Sequence, residues 1–169
     1  KNLRDIGNTV IVVEHDKETI EASDFVIDIG PGAGVHGGKI VAQGTPEEIL
    51  KSNTLTAQYL SGKKRAPDES IKIQKEALPR SAGPQQFVEI KGAKENNLKN
   101  LTVEIPLNKF VVVTGVSGSG KSTLVHDVFY AGLAKYLGNA PSFIGKYDDI
   151  KGGEYIDDVV IVDQSPIGK

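Results

Sequence analysis

Residues 115–122 read Gly-Val-Ser-Gly-Ser-Gly-Lys-Ser. This is the spacing G-x-x-x-x-G-K-[ST], a loop that can hold phosphate. The chemistry asks for these residue types. Glycines let the backbone turn tightly and present successive N–H groups to an anion. A helix beginning directly afterwards adds the positive end of its dipole. Gly115, Ser117, Gly118, Ser119 and Gly120 supply the cradle. Lys121 sets a point charge against the β- and γ-phosphates, and the Ser122 hydroxyl can ligate Mg²⁺. Thr123 stands next, on the α-phosphate side. The plainer reading is a glycine-rich turn before a helix, and the strand–loop–helix context weighs against it.

Two further positions have chemical potential. Glu14-His15-Asp16 closes the apolar run of residues 9–16, and Gln164 follows the run of residues 159–163. Polar residues at the carboxyl ends of parallel strands face the ligand crevice of an open α/β sheet. Taken alone, His15 has a simpler account as a satisfied loop histidine, and Gln164 as a surface-turn residue. His36, among turn glycines, and His126, on the helix after the loop, read as structural or solvent-facing.

These residues need a frame. TVIVVEHD (9–16) is β-branched and continuous, the pattern of a parallel strand buried on both faces. A short helix is expected over 17–22, a strand over 25–29, turn material over 30–38 and a strand over 39–43. Thr45-Pro46-Glu47-Glu48 opens a helix running to about Leu50, with Thr45 as N-cap, Pro46 at the first helical position and Glu48 three past the cap. After a Pro-rich, charged stretch over 62–85, strands are expected at 87–93, 101–106 and 109–115. The run 122–137 has apolar residues at Leu124, Val125, Val128, Phe129, Leu133 and Leu137, the stripe of a core-facing helix. Residues 138–154 read as loop, and 159–166 as a last strand entering a polar turn.

Composition sets the outer bounds. The 169 residues carry 20 basic and 22 acidic side chains, a formal charge of −2. That balance excludes a strongly basic nucleic-acid wrapper and an acidic tail protein, though not a local basic patch. Cysteine is absent, so these residues hold neither a disulfide nor a Cys-ligated zinc. No apolar run approaches the ~20 residues of a membrane helix, and no signal peptide opens the chain. A cytoplasmic address fits. Methionine is absent even at position 1, and the chain is expected to be a segment of a longer protein.

Taken together, the phosphate loop, His15, Gln164 and the tail over 37–50 resemble an ABC-type ATPase. The match narrows in DIGPGAGVHGGKIVAQGTPEEI, LTAQYLSGKK, GAKENNLKNLTVEIP, TGVSGSGKSTLVHDVFY and VDQSPIGK, which are similar to the UvrA family of bacterial nucleotide excision repair. The segments GPGAG, NNLKN and DQSPIGK are more telling than the phosphate loop itself.

The resemblance implies an α/β fold of the P-loop NTPase class, here as incomplete portions of two tandem nucleotide-binding domains. Residues 1–61 would be the C-terminal end of the first, 62–85 a linker, and 86–169 the N-terminal part of the second. The order carries this reading, because in one ABC domain the phosphate loop precedes the histidine. For 62–85, a solvated spacer is the plain reading and a nucleic-acid contact the alternative.

By the same resemblance, ATP and Mg²⁺ occupy residues 115–123, and Gln164 links metal and attacking water to conformational change. His15 is the switch histidine for a γ-phosphate, serving the site of the preceding domain. Damaged double-stranded DNA, a helicase-like loading partner of the UvrB type and a second copy of the protein are the implied partners. Zinc modules would draw on cysteines outside these residues. Neither an LSGGQ-like signature nor the strand bearing the catalytic glutamate is present, and Glu14 is not that glutamate. The chain alone is therefore expected to hydrolyse ATP poorly or not at all. The place of the usual adenine-stacking aromatic is taken by Lys94-Glu95-Asn96-Asn97, leaving Tyr136 and Tyr147 as substitutes. Two other readings stay open: an ABC ATPase of a transporter or translation factor, and a nucleotide-binding scaffold without turnover.

Overall fold

A computed structural model describes residues 2–62, 64 and 85–162. From the amino end, α1 (Asn2–Asp5) leads into β1 (Val10–Val13), α2 (Lys17–Ala22), β2 (Phe25–Gly30) and β3 (Lys39–Gly44). α3 (Pro46–Lys51) and α4 (Leu55–Leu60) follow. β4 (Phe87–Ala93), β5 (Leu101–Pro106) and β6 (Phe110–Gly115) precede a long helix. Its first part, Thr123–Tyr130, is wound wide as a π-helix, and α5 (Ala131–Tyr136) continues it. β7 (Asp149–Lys151) comes last.

The strands form two sheets, in the orders β1-β6-β2-β3 and β5-β4-β7. β6 is inner in the first sheet, parallel to β1 on one side and to β2 on the other. Its three consecutive valines explain this place. Val111 and Val113 turn to one face and Val112 to the other, and all are fully buried. On the first face they meet Val88, Ile90, Val103 and Ile105 of the second sheet, with Leu124 and Val128 of the helix. On the second, Val112 joins Ile20, Ile49 and Leu60 from α2, α3 and α4. Burying each such side chain contributes about 1.5–3 kcal/mol. β6 is therefore clamped between two apolar layers, and the loop at its end has a rigid base.

The first sheet draws strands from both sides of residues 62–85, since β1, β2 and β3 precede that stretch and β6 follows it. Local signals behave as expected at α3. Thr45 accepts from the Glu48 backbone N–H, and Glu48 Oε2 accepts from the Thr45 N–H at 2.7 Å.

Four expectations change. β1 is a half-buried edge strand of its sheet, not one covered on both faces. α4 was not anticipated; its N-cap, Thr54, lies only three residues beyond the end of α3. β7 arises inside the segment read as loop, because pairing with β4 supplies the partner that its own short sequence does not advertise. The described part of the expected last strand, 159–162, has no regular structure, and Val160 and Val162 are 77% and 90% exposed. Residues 163–166 of that strand, with Gln164, lie outside the described residues, as does most of the 62–85 segment.

Candidate functional site

The register of three parallel strands builds the site. Val13 pairs with Val113, and Ile29 pairs with Gly115. The carboxyl ends of β1, β6 and β2 thus lie together at one sheet edge. From that edge emerge Glu14-His15-Asp16, the phosphate loop and the turn of residues 30–38. The Glu14 N–H still donates to the Val113 carbonyl at 3.1 Å, and exposed His15 follows.

The loop itself is the expected strand–loop–helix. Gly115 (φ +133°) permits close approach to β2, since a Cβ there would run into the Ile29 carbonyl. Ser119 N–H donates to Val116 O at 3.2 Å, closing the turn. Leu124 N–H donates to Gly120 O at 2.9 Å, the first link of the helix. Ser117, Gly118 and Ser122 are exposed, Lys121 and Thr123 are half-buried, and Ser119 is buried.

Lys121 folds back over the loop. Its Nζ donates to Gly115 O at 3.0 Å and Val116 O at 2.9 Å. Burial pushes this ammonium below the usual lysine range, while the Asp28 carboxylate pulls the other way. Asp28, on β2, is the register partner of Thr114 on β6 and is buried. Burial pushes its carboxyl up, opposed by the Thr56 and Thr54 hydroxyls and by Lys121. Asp28 Oδ2 and Ser119 Oγ have no hydrogen-bond partner among the described residues. The half-buried Lys121 cation thus rests on two neutral carbonyls of a glycine-rich loop. An anionic phosphate is the group that such a donor set fits.

Two segments lie against this loop: residues 30–38, read from sequence as turn material, and Lys94–Asn97, read as standing in the place of an adenine-stacking aromatic. The turn of residues 30–38 begins at a cis Gly30–Pro31 bond and lies alongside residues 118–119. Gly34 N–H donates to Gly118 O at 2.9 Å, and Gly38 N–H donates to Ser119 O at 2.8 Å. The second segment is Lys94–Asn97. Asn97 Nδ2 donates to Gly34 O at 2.9 Å and to Gly118 O at 3.1 Å. Asn96, in the left-handed region at φ +50°, donates from Nδ2 to Thr123 Oγ1 at 3.2 Å. The GPGAG and NNLKN stretches are thus structural neighbours of the phosphate loop. The glycine cluster of residues 30–38 was the available signal; Gly34 and Gly38 take positive φ in the structure. Of the two tyrosines, the Tyr136 ring covers Gly153, and the Tyr147 ring packs beside Gly132.

No family model matches the chain. Individual proteins do match. The UvrABC system protein A of Thermus thermophilus is 55% identical over all of this chain. That of Bacillus subtilis is 50% identical, again over the full chain. The chain belongs to the UvrA family. It spans 17% of the length of these curated relatives. The solved structure of UvrA2 from Deinococcus radiodurans is 38% identical over 93% of this chain and 17% of its own, with a TM-score of 0.41.

Among the UvrA-type features expected from sequence, the structure brings the loop of residues 115–123 to the same end of the sheet as β1, which ends two residues before His15. Gln164 is outside the described residues. Among the described residues no group of three or more His, Cys, Asp or Glu side chains could hold a metal ion. No described helix is long and apolar enough to cross a membrane.

Proposed function

We propose that residues 115–123 form an ATP–Mg²⁺ site of a DNA-damage-recognition subunit of nucleotide excision repair. The phosphate loop between a buried strand and a helix start carries this reading. Gly115, Ser117, Gly118, Ser119 and Gly120 would wrap the phosphates, with Thr123 on the α-phosphate side. Lys121 would exchange the carbonyls of Gly115 and Val116 for β- and γ-phosphate oxygens, regaining a full counter-charge. Ser122, exposed at the helix start, would ligate Mg²⁺, with Gln164 at metal and water. Bound Mg²⁺ neutralises charge on the transferring phosphoryl group. Catalysis would then rest on positioning and charge neutralisation.

The similarity to UvrABC system protein A supports the wider reading. The whole protein would be an ATPase that binds damaged double-stranded DNA, works as a homodimer and hands the site to a UvrB-type loading subunit in the cytoplasm. ATP binding would drive domain closure and alter the grip on DNA. Zinc modules would lie outside these residues. Residues 1–61 and 86–169 would belong to two tandem nucleotide-binding domains joined by 62–85, an assignment supported by the motif order. Turnover would need a glutamate and a signature loop that this chain lacks, so the chain alone would hydrolyse ATP poorly.

Nucleotide binding by the full-length protein before and after Lys121→Ala tests the site. Loss of one class of Mg–ATP site is expected, and unchanged affinity and stoichiometry would defeat the assignment. Damaged-duplex binding by the same protein tests the repair reading against a transporter or translation role.

A further inference from the structure

Two carbonyls of the phosphate loop are pinned from outside. Gly118 O accepts from both Gly34 N–H and Asn97 Nδ2, and Ser119 O accepts from Gly38 N–H. A peptide unit is planar and trans, so fixing its carbonyl outward turns the next N–H the opposite way. The bond to Ser119 O therefore aims the Gly120 N–H away from the turn of residues 30–38. The bonds to Gly118 O fix the Ser119 N–H, which closes the loop on Val116 O.

The parts fit with little slack. Gly38 sits at φ +74°, and a Cβ there would collide with the Asn97 carbonyl. A Cβ on Gly37 would meet Ser119 Cα at 2.9 Å and Gly32 O at 2.5 Å. Gly38 O in turn accepts from Lys99 N–H at 2.8 Å, tying the turn to the segment after Asn97. That segment is anchored independently, since Lys94 N–H donates to Lys146 O at 2.9 Å and Lys146 N–H to Glu95 Oε2 at 3.0 Å.

We propose that Asn97, with the turn of residues 30–38, is an outer clamp that holds the phosphate loop in its anion-accepting shape. Asn97 is a positioning residue here. Its side chain acts through Gly118 O and Gly34 O, and what it sets is affinity for the polyphosphate moiety. The inference rests on the nucleotide-site reading of residues 115–123. It adds that this affinity is governed by a side chain outside the motif and by a turn from the other side of the 62–85 stretch.

The test uses the full-length protein and two probes, Mg–ATP and inorganic tripolyphosphate with Mg²⁺, which has no base or sugar. Asn97→Ala is expected to weaken the Lys121-dependent binding of both probes by the same factor, about tenfold. The unfolding midpoint without ligand should stay within about 1–2 °C. Asn97→Asp, which presents oxygen to two carbonyls, should bind less well than Asn97→Ala near neutral pH. Relative to wild type it should recover as pH falls and the carboxyl regains a proton to donate. Weakening of Mg–ATP alone would make Asn97 a base or sugar contact and overturn the clamp. A parallel fall of the unfolding midpoint, unchanged affinity, or no recovery of Asn97→Asp at low pH would also overturn it. Lys121→Ala is the separate control. If it leaves both probes bound as in wild type, the nucleotide-site reading itself fails; if it abolishes binding while Asn97→Ala does not weaken it, only the clamp fails.

Discussion

Val13 and Val113 are register partners on parallel strands, so His15 and Gly115, each two residues on, lie at the same end of the sheet. The pairing gives His15 a place beside a phosphate loop that its sequence position, about 100 residues earlier, does not suggest. Full-length protein carrying His15→Ala should keep its Mg–ATP affinity within a few-fold and lose about 10²-fold in kcat. Combining it with Lys121→Ala decides which loop it serves. No further loss in the double variant places His15 at residues 115–123; an additive loss places it at the other nucleotide site.

The Lys121 ammonium is held below the usual lysine range by burial, against the pull of Asp28. A bound phosphate favours the charged form, so nucleotide binds the protonated loop. Mg–ATP affinity should therefore fall as pH rises through the lowered value of the free site, by up to about tenfold per pH unit. Lys121→Arg keeps its charge throughout and should remove that alkaline decline, whatever its affinity at neutral pH. Titration calorimetry across the alkaline range reads both.

Asp24 joins three elements at the opposite end of the sheet. Arg4 Nη1 donates to both carboxylate oxygens at 2.7 and 2.9 Å, and Phe110 N–H donates to Oδ2 at 2.8 Å. Burial raises the carboxyl, but Arg4 and the Phe110 N–H outweigh it and hold it below the usual range. A depressed carboxyl stabilises the fold above its unfolded value, and this is lost as pH falls through the folded one. Asp24→Asn should cost about 1–3 kcal/mol near neutral pH and flatten the acid limb of stability against pH. Denaturant unfolding at a series of pH values measures it.

Gly115 stands at φ +133° with the Ile29 carbonyl where a side chain would go. Gly115→Ala should push β6 from β2 and cost about 1–3 kcal/mol. Because the displaced peptide opens the phosphate loop, Mg–ATP affinity should fall with it. Gly138→Ala is the contrasting variant: its φ is +87° but no atom lies within 4 Å of the added carbon, so only the backbone penalty applies. Its nucleotide affinity should match wild type.

Local rules marked most elements because the information was local. The apolar stripe at Leu124, Val128 and Leu133, the Thr45–Glu48 capping box and the β-branched run of β6 each declare themselves within a few residues. The phosphate loop was equally plain, since its chemistry needs a fixed order of glycines, lysine and hydroxyl in one continuous stretch. Non-local pairing was not legible. β7 exists because β4 offers it an edge, and the run at 159–162 finds no such partner among the described residues. The clamp on the loop was hidden for the same reason. Asn97, Gly34 and Gly38 are distant in sequence from Gly118 and Ser119, and only sheet register brings their amides to those carbonyls. A motif states which atoms can bind an anion; the folded sheet decides which neighbours hold those atoms in place, because hydrogen-bond geometry is set in space and not along the chain.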